Sequence, residues 1–160
     1  MHRVLSTNLQ QAFQLTAFNN GGSPSISGWT INTGSTVAMS AMFSGAASFN
    51  QPIGNWTLNT STGATISMQQ MFQVSTAFNQ DIGNWNITRV NNFSNFMSGK
   101  TPATFSATNL DAIYNGWSTK SPRTGITITL GTAKYTAAGT SGKNTLTGAT
   151  YNWTIVDGGI

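Results

Sequence analysis

The chain has no cysteine and no glutamate, and only 6% of its 160 residues are charged, against roughly 25% in ordinary soluble domains. Without cysteine there is no disulfide framework, no thiol nucleophile and no cysteine-ligated zinc or iron–sulfur site. The only carboxylates are Asp81, Asp111 and Asp157. Glycoside hydrolysis in most families needs two carboxylates about 5–10 Å apart, so a polysaccharide-degrading enzyme requires subunits that pool theirs at an interface. The lone histidine, His2, sits at a terminus with no partner for a triad or metal cluster. No run approaches the roughly 18 apolar residues of a membrane span. The opening Met1-His2-Arg3-Val4-Leu5-Ser6-Thr7 has a basic residue but no apolar stretch behind it, so no conventional signal peptide is expected. The net charge of +4 is spread along the chain, with only Lys120 and Arg123 close together. Nucleic-acid binders cluster their basic residues, so no nucleic-acid partner is expected.

In place of charge the chain has Asn, Gln, Ser and Thr at 67 positions. Five Trp, nine Phe and three Tyr supply large side chains for a core, which separates it from a disordered, aromatic-poor tail.

The aromatics recur in order. Met42-Phe43-Ser44-Gly45-Ala46-Ala47-Ser48-Phe49-Asn50-Gln51-Pro52-Ile53-Gly54-Asn55-Trp56 returns as Met71-Phe72-Gln73-Val74-Ser75-Thr76-Ala77-Phe78-Asn79-Gln80-Asp81-Ile82-Gly83-Asn84-Trp85, a shift of 29 residues. A worn copy runs from Ala12-Phe13 through Phe18-Asn19 to Gly28-Trp29, and a partial fourth starts at Asn92-Phe93. In each, residues such as Met39, Met42 and Phe43 stand at i, i+3, i+4, the spacing of one helical face. The alternation after each Trp suits a short strand, with Gly54 and Gly83 allowing a bend or a close backbone approach before it. A period of 20–29 residues with one strand and one helix per unit is the leucine-rich-repeat type.

These features predict an α/β fold: a leucine-rich-repeat-like solenoid of about three to four short strand-plus-helix repeats over residues 1–99, closed by a C-terminal α+β cap over 100–160. Stacked units place Phe43 beside Phe72, Phe49 beside Phe78, and Trp29, Trp56 and Trp85 in one row. Asn50 with Asn79, and Asn55 with Asn84, are expected to form polar rows that satisfy buried turn groups. The units differ most in their loops, so Gly22, Ser23, Asn32, Thr33, Asn59, Thr60 and Arg89 are the candidate partner-facing residues. In the closing segment Thr108-Asn109-Leu110-Asp111 fits a capping box opening a helix, with Leu110, Ile113, Tyr114 and Trp117 on one face. Ile126, Ile128 and Leu130 alternate as in a half-buried strand, and a last strand is expected at Trp153–Val156. Ser141-Gly142-Lys143-Asn144-Thr145 lacks the spacing and the hydroxyl residue of a phosphate loop.

The Phe-Asn-Gln-x-Ile-Gly-Asn-Trp strings at 39–58 and 68–99 resemble the BspA-type leucine-rich repeat, known also from mycoplasma surface lipoproteins and similar to repeats in phage structural proteins. Asn109–Ser118 and Tyr151–Gly159 resemble segments that close such arrays. The resemblance implies a surface-exposed, non-enzymatic module for adhesion or display. The absent export signal, the start at Met1 and the short chain point to a virion surface component, a capsid decoration or fibre protein. The alternative is a bacterial cell-surface adhesin. Either version implies a protein or glycan partner, other virion proteins among the candidates, no cofactor or metal, and a homo-oligomer or larger assembly.

Overall fold

The computed structural model describes residues 8–19, 26–31, 36–58 and 60–160. Among these, three short parallel strands form one sheet in the order β1 (Val37–Ala38), β2 (Ile66–Ser67), β3 (Val90–Asn92). Helix α1 (Ala107–Ser118) follows, then β4 (Thr127–Thr129), helix α2 (Thr140–Thr147) and β5 (Thr154–Val156). β4 and β5 pair in parallel as a second small sheet, with Thr127 opposite Thr154 and Thr129 opposite Val156. A bridge between Phe93 and Ile128 joins the two sheets' ends.

This arrangement overturns the expected leucine-rich-repeat-like solenoid of strand-plus-helix repeats. Both α-helices lie within residues 107–147, and the strands are two or three residues long in two separate small sheets. The segments after β1 and β2, at 39–45 and 68–74, are turns rather than helices.

The backbone shows why. Along 39–46 the N–H groups alternate between two destinations. Met42, Ser44 and Ala46 bond three residues back, to Met39, Ala41 and Phe43, while Ala41, Phe43 and Gly45 bond sideways to Gln69, Met71 and Gln73. An α-helix needs every N–H to point four residues back. The sideways bonds take half of them and hold Ala41 and Gln70 at φ of 54° and 56°, left-handed values that a right-handed helix excludes, as it does the 55° of Asn95. The i, i+3, i+4 spacing of Met39, Met42 and Phe43 still buries all three, because a tight turn also returns side chains to one face.

α1 does form a helix, since its apolar residues Leu110, Ile113, Tyr114 and Trp117 make a stripe that faces the core. Its cap is Ser106, whose Oγ accepts from the Asn109 N–H at 3.3 Å, two residues before the capping box expected at Thr108. Asp111 therefore falls in the second turn and points away from the helix start. Its oxygens accept from the Thr136 N–H at 2.8 Å and the Thr136 hydroxyl at 2.6 Å.

α1 docks on the Ile-Gly-Asn-Trp strings through glycines. A β-carbon at Gly116 would sit well inside contact distance of the Gly83 carbonyl, and one at Gly83 would collide with the Ala112 carbonyl. Alanine in mid-helix is favoured over glycine by about 1 kcal/mol, yet Gly116→Ala is expected to destabilise by about 1–3 kcal/mol, because its methyl meets rigid backbone. Urea unfolding measures this, and a variant at or above wild-type stability would show that α1 does not approach so closely.

Candidate functional site

The aromatic side chains lie in rows that bury the interior and leave a polar outer surface. Phe43 stacks on Phe72 with ring centres 5.7 Å apart, and Phe49 on Phe78 at 5.9 Å. The indoles of Trp29, Trp56 and Trp85 follow at 6.0 and 6.1 Å. Trp56 and Trp85 donate their indole N–H to the carbonyls of Ile26 and Ile53, each at 2.8 Å. Asn50 accepts the Asn79 N–H on its side-chain oxygen at 2.9 Å, and Asn79 in turn accepts the Ser106 N–H at 2.9 Å. Asn55 and Asn84, expected to bond in the same manner, are exposed instead.

They are exposed because each sits at the outer corner of a Gly-Asn turn, Gly54-Asn55 and Gly83-Asn84, between Ile and Trp side chains that are buried. Together with Thr57, Thr60 and Asn86 they border a shallow groove of about 430 Å³ whose floor includes Gly54, Trp56 and Leu58. Arg89 stands at its rim, held by a 3.2 Å bond from its Nε to the Thr60 carbonyl. Of the expected partner-facing residues the structure thus brings Thr60 and Arg89 together; Gly22, Ser23, Asn32, Thr33 and Asn59 lie outside the described residues. Thr57, Asn84 and Asn86 are additions. The sequence pattern that marks them is the polar position between two buried ones in each Trp string. A second groove of about 450 Å³, bordered by Ser67, Asn91, Asn92, Ser94 and Thr127, lies between β3 and β4 and is more polar than the first.

The groove holds amides and hydroxyls but no carboxylate. Each Asp is committed elsewhere. Asp81 accepts the Gly83 N–H at 2.8 Å, and Asp111 holds Thr136. Asp157 accepts the Gly159 N–H at 3.0 Å, pairs with Lys143 at 2.7 Å and receives the Tyr114 hydroxyl. Burial pushes the Asp157 carboxyl up, but the bonds from Lys143, Tyr114 and Gly159 outweigh it and leave the group below the usual carboxylate range. Burial, and then the Asp157 carboxylate, raise the Tyr114 phenol above its ordinary value. The Lys143 ammonium lies 4.5 Å from the centre of the Tyr135 ring. This cluster ties α1, α2 and β5 together.

Lys100 is a further buried charge, 1% exposed. Its ammonium donates to the carbonyls of Ser75, Phe78 at 2.5 Å, Thr76 at 3.2 Å and Thr104 at 3.4 Å. Burial lowers its pKa from 10.5 to about 8. Among the described residues no cluster of three His, Cys, Asp or Glu exists to hold a metal ion, and no helix is long and apolar enough to cross a membrane.

The family described as a Mycoplasma protein of unknown function, DUF285, matches residues 5–124. No curated protein and no solved structure matches the chain. The match agrees with the mycoplasma part of the resemblance read from the Phe-Asn-Gln and Asn-Trp strings. It gives no support to the BspA-type leucine-rich repeat or to the phage structural proteins.

Proposed function

The chain belongs to the DUF285 family of Mycoplasma proteins, and from that premise we propose that it is a non-enzymatic adhesion or display module of the cell surface that binds a neutral glycan. The observation that carries this reading is the groove of exposed Asn55, Thr57, Thr60, Asn84 and Asn86. Side-chain amides and hydroxyls offer donors and acceptors side by side, which is what the hydroxyl pairs of a sugar ring require. The Trp56 indole in the floor, stacked between Trp29 and Trp85, fixes their spacing, so little order is lost on binding. The commitment of all three carboxylates to structural bonds supports a binding role over hydrolysis. The family favours a mycoplasma cell surface over the virion surface that the sequence suggests.

Affinity from uncharged groups is expected to be nearly independent of salt: a tenfold rise in ionic strength should change it by less than about twofold, since few counterions are released. A glycan array probed with the full chain tests the reading. Retention of one class of neutral glycan, reduced at least about tenfold in the doubly substituted N84A/N86A chain, is expected from the loss of two bonds of about 1 kcal/mol or slightly less each. No retained glycan, or retention indifferent to the double substitution, would overturn it. Protease treatment of intact cells gives the location: peptides of this chain should be released before the membrane is breached.

A further inference from the structure

The pairing between successive strings has a direction. Each string gives alternate backbone N–H groups to the one that follows it. Gln11, Phe13 and Leu15 donate to Ser40, Met42 and Ser44. Ala41, Phe43 and Gly45 donate to Gln69, Met71 and Gln73, and Gln70, Phe72 and Val74 to Ser94, Phe96 and Ser98. Side chains and asparagine amides reach back the other way. Trp56 and Trp85 donate to Ile26 and Ile53, and the Asn50 and Asn79 N–H groups donate to the side-chain oxygens of Asn19 and Asn50.

At the C-terminal end this series is closed. The Met97 N–H reaches Thr129 at 2.9 Å, Trp117 of α1 donates to Ile82 at 2.9 Å, and Ser106 takes the oxygen of Asn79. At the other end it is open among the described residues. Among the described residues nothing donates to the carbonyls of Gln10, Ala12 and Gln14, and nothing accepts from the indole N–H of Trp29. The rings of Phe13, Phe18 and Trp29 are only half-buried, although their counterparts Phe43, Phe49 and Trp56 are covered on both faces.

We propose that this edge, centred on Gln10–Gln14 and Trp29, docks a polypeptide segment of another chain that carries the same Phe-x5-Phe-Asn-Gln…Trp string with its donor side free. The occupant is specified by what the edge offers. Three carbonyls in alternate positions call for alternate N–H donors, the Trp29 N–H calls for a carbonyl, and three ring faces call for rings. Unpaired edges of this kind are templates for strand addition. A second copy of this chain does not fit: its donors at 41–45 and 70–74 are spent internally, and two such edges face each other carbonyl to carbonyl. The surface is separate from the glycan groove and does not rest on that reading.

The test uses the full chain labelled at its indole nitrogens and a synthetic peptide of its own residues 37–58. The expected result is saturable one-to-one binding that slows exchange of the Trp29 indole proton. Trp29→Phe, which keeps a ring and removes the N–H, should weaken binding about fivefold, the worth of one net hydrogen bond. A peptide in which Phe43 and Phe49 are both serine should not bind, a control that leaves the chain itself unaltered. Failure of the unaltered peptide to bind, or binding that ignores both changes, would overturn the proposal. So would a Trp29 indole already protected in the free chain, which would mean that the chain's own residues cover the edge. Self-association that protects the same proton would assign the edge to a second copy instead, and would overturn it as well.

Discussion

Replacing Trp85 with alanine should cost about 3–5 kcal/mol, the range for deleting a large aromatic from a close-packed core. Trp85 is fully buried, stacked on Trp56 at 6.1 Å and tilted against Phe72 at 6.4 Å, with its indole N–H on the Ile53 carbonyl. The alanine variant loses both ring contacts, leaves a cavity between two segments that are held apart by backbone hydrogen bonds, and removes one of the two donors to the Ile53 carbonyl, which keeps the Trp56 N–H. Domains of this size have about 5–15 kcal/mol in total, so the variant should melt far below the wild type or fail to fold. Trp85→Phe separates the terms. It keeps most of the packing and loses the indole bond, and should cost about 1–3 kcal/mol. Trp29→Ala should be milder than Trp85→Ala, since Trp29 is only half-buried whereas Trp85 is fully buried. Urea midpoints at constant slope measure all three. A Trp85→Ala midpoint equal to that of the wild type would show that the stacked rings do not hold the fold.

The spacing of Phe43, Phe72, Trp56 and Trp85 was legible in the sequence because side-chain chemistry recurs at fixed intervals. What the intervening backbone does was not. Met39, Met42 and Phe43 carry the same spacing in a helix and in a turn whose alternate N–H groups bond sideways. The residues that make the difference, Ala41, Gln70 and Asn95, include no glycine to mark a left-handed position. The helical reading therefore fails where lateral backbone bonds outcompete the local ones, a choice made by neighbours 24–29 residues away. α2 carried no periodicity strong enough to be read, having only Leu146 and Gly142 buried; it forms because Gly142 lets its backbone lie on Tyr114. Asn55 and Asn84 belong to the candidate groove for a reason the sequence did contain, their place between inward residues. The reading of them as bonded rows came from treating every recurrent asparagine alike. Asn50 and Asn79 lie where a backbone N–H of the next segment passes; Asn55 and Asn84 do not.

Lys100 occupies the place held by Ala46 and Ser75 in the preceding strings, one residue after Gly45, Val74 and Gly99 in turn. At Ser75 the hydroxyl donates to the Phe43 carbonyl, and at Lys100 the ammonium donates one segment back to Ser75, so a cation stands where an alanine sufficed. Its neighbours are carbonyls and the rings of Phe78 and Phe105, at 5.8 and 6.0 Å from the ring centres; the ion pair among the described residues is Lys143 with Asp157, elsewhere. With its pKa lowered from 10.5 to about 8, the folded chain gives up this proton more readily than the unfolded chain. Between those values the unfolded state binds more protons, so the Lys100 contribution to stability rises as pH rises from about 8 to 10.5 and lies at its lowest, level value below pH 8. At 1.36 kcal/mol per unit the full change is about 3 kcal/mol. The raised Tyr114 phenol adds a pH dependence of its own, so the quantity to measure is the difference between wild type and Lys100→Met, in urea, at several pH values. Methionine matches the length of the lysine stem and removes the charge, while taking the ammonium donor from the Ser75, Thr76, Phe78 and Thr104 carbonyls, of which Ser75 keeps the Phe78 N–H. At neutral pH those two effects oppose each other. Their sum is fixed by neither alone, but its pH dependence belongs to the ammonium only: the wild type should gain on the variant by about 3 kcal/mol across the window. A difference that stays flat with pH would mean that the four carbonyls solvate the ammonium as well as water does, and that its burial carries no electrostatic cost.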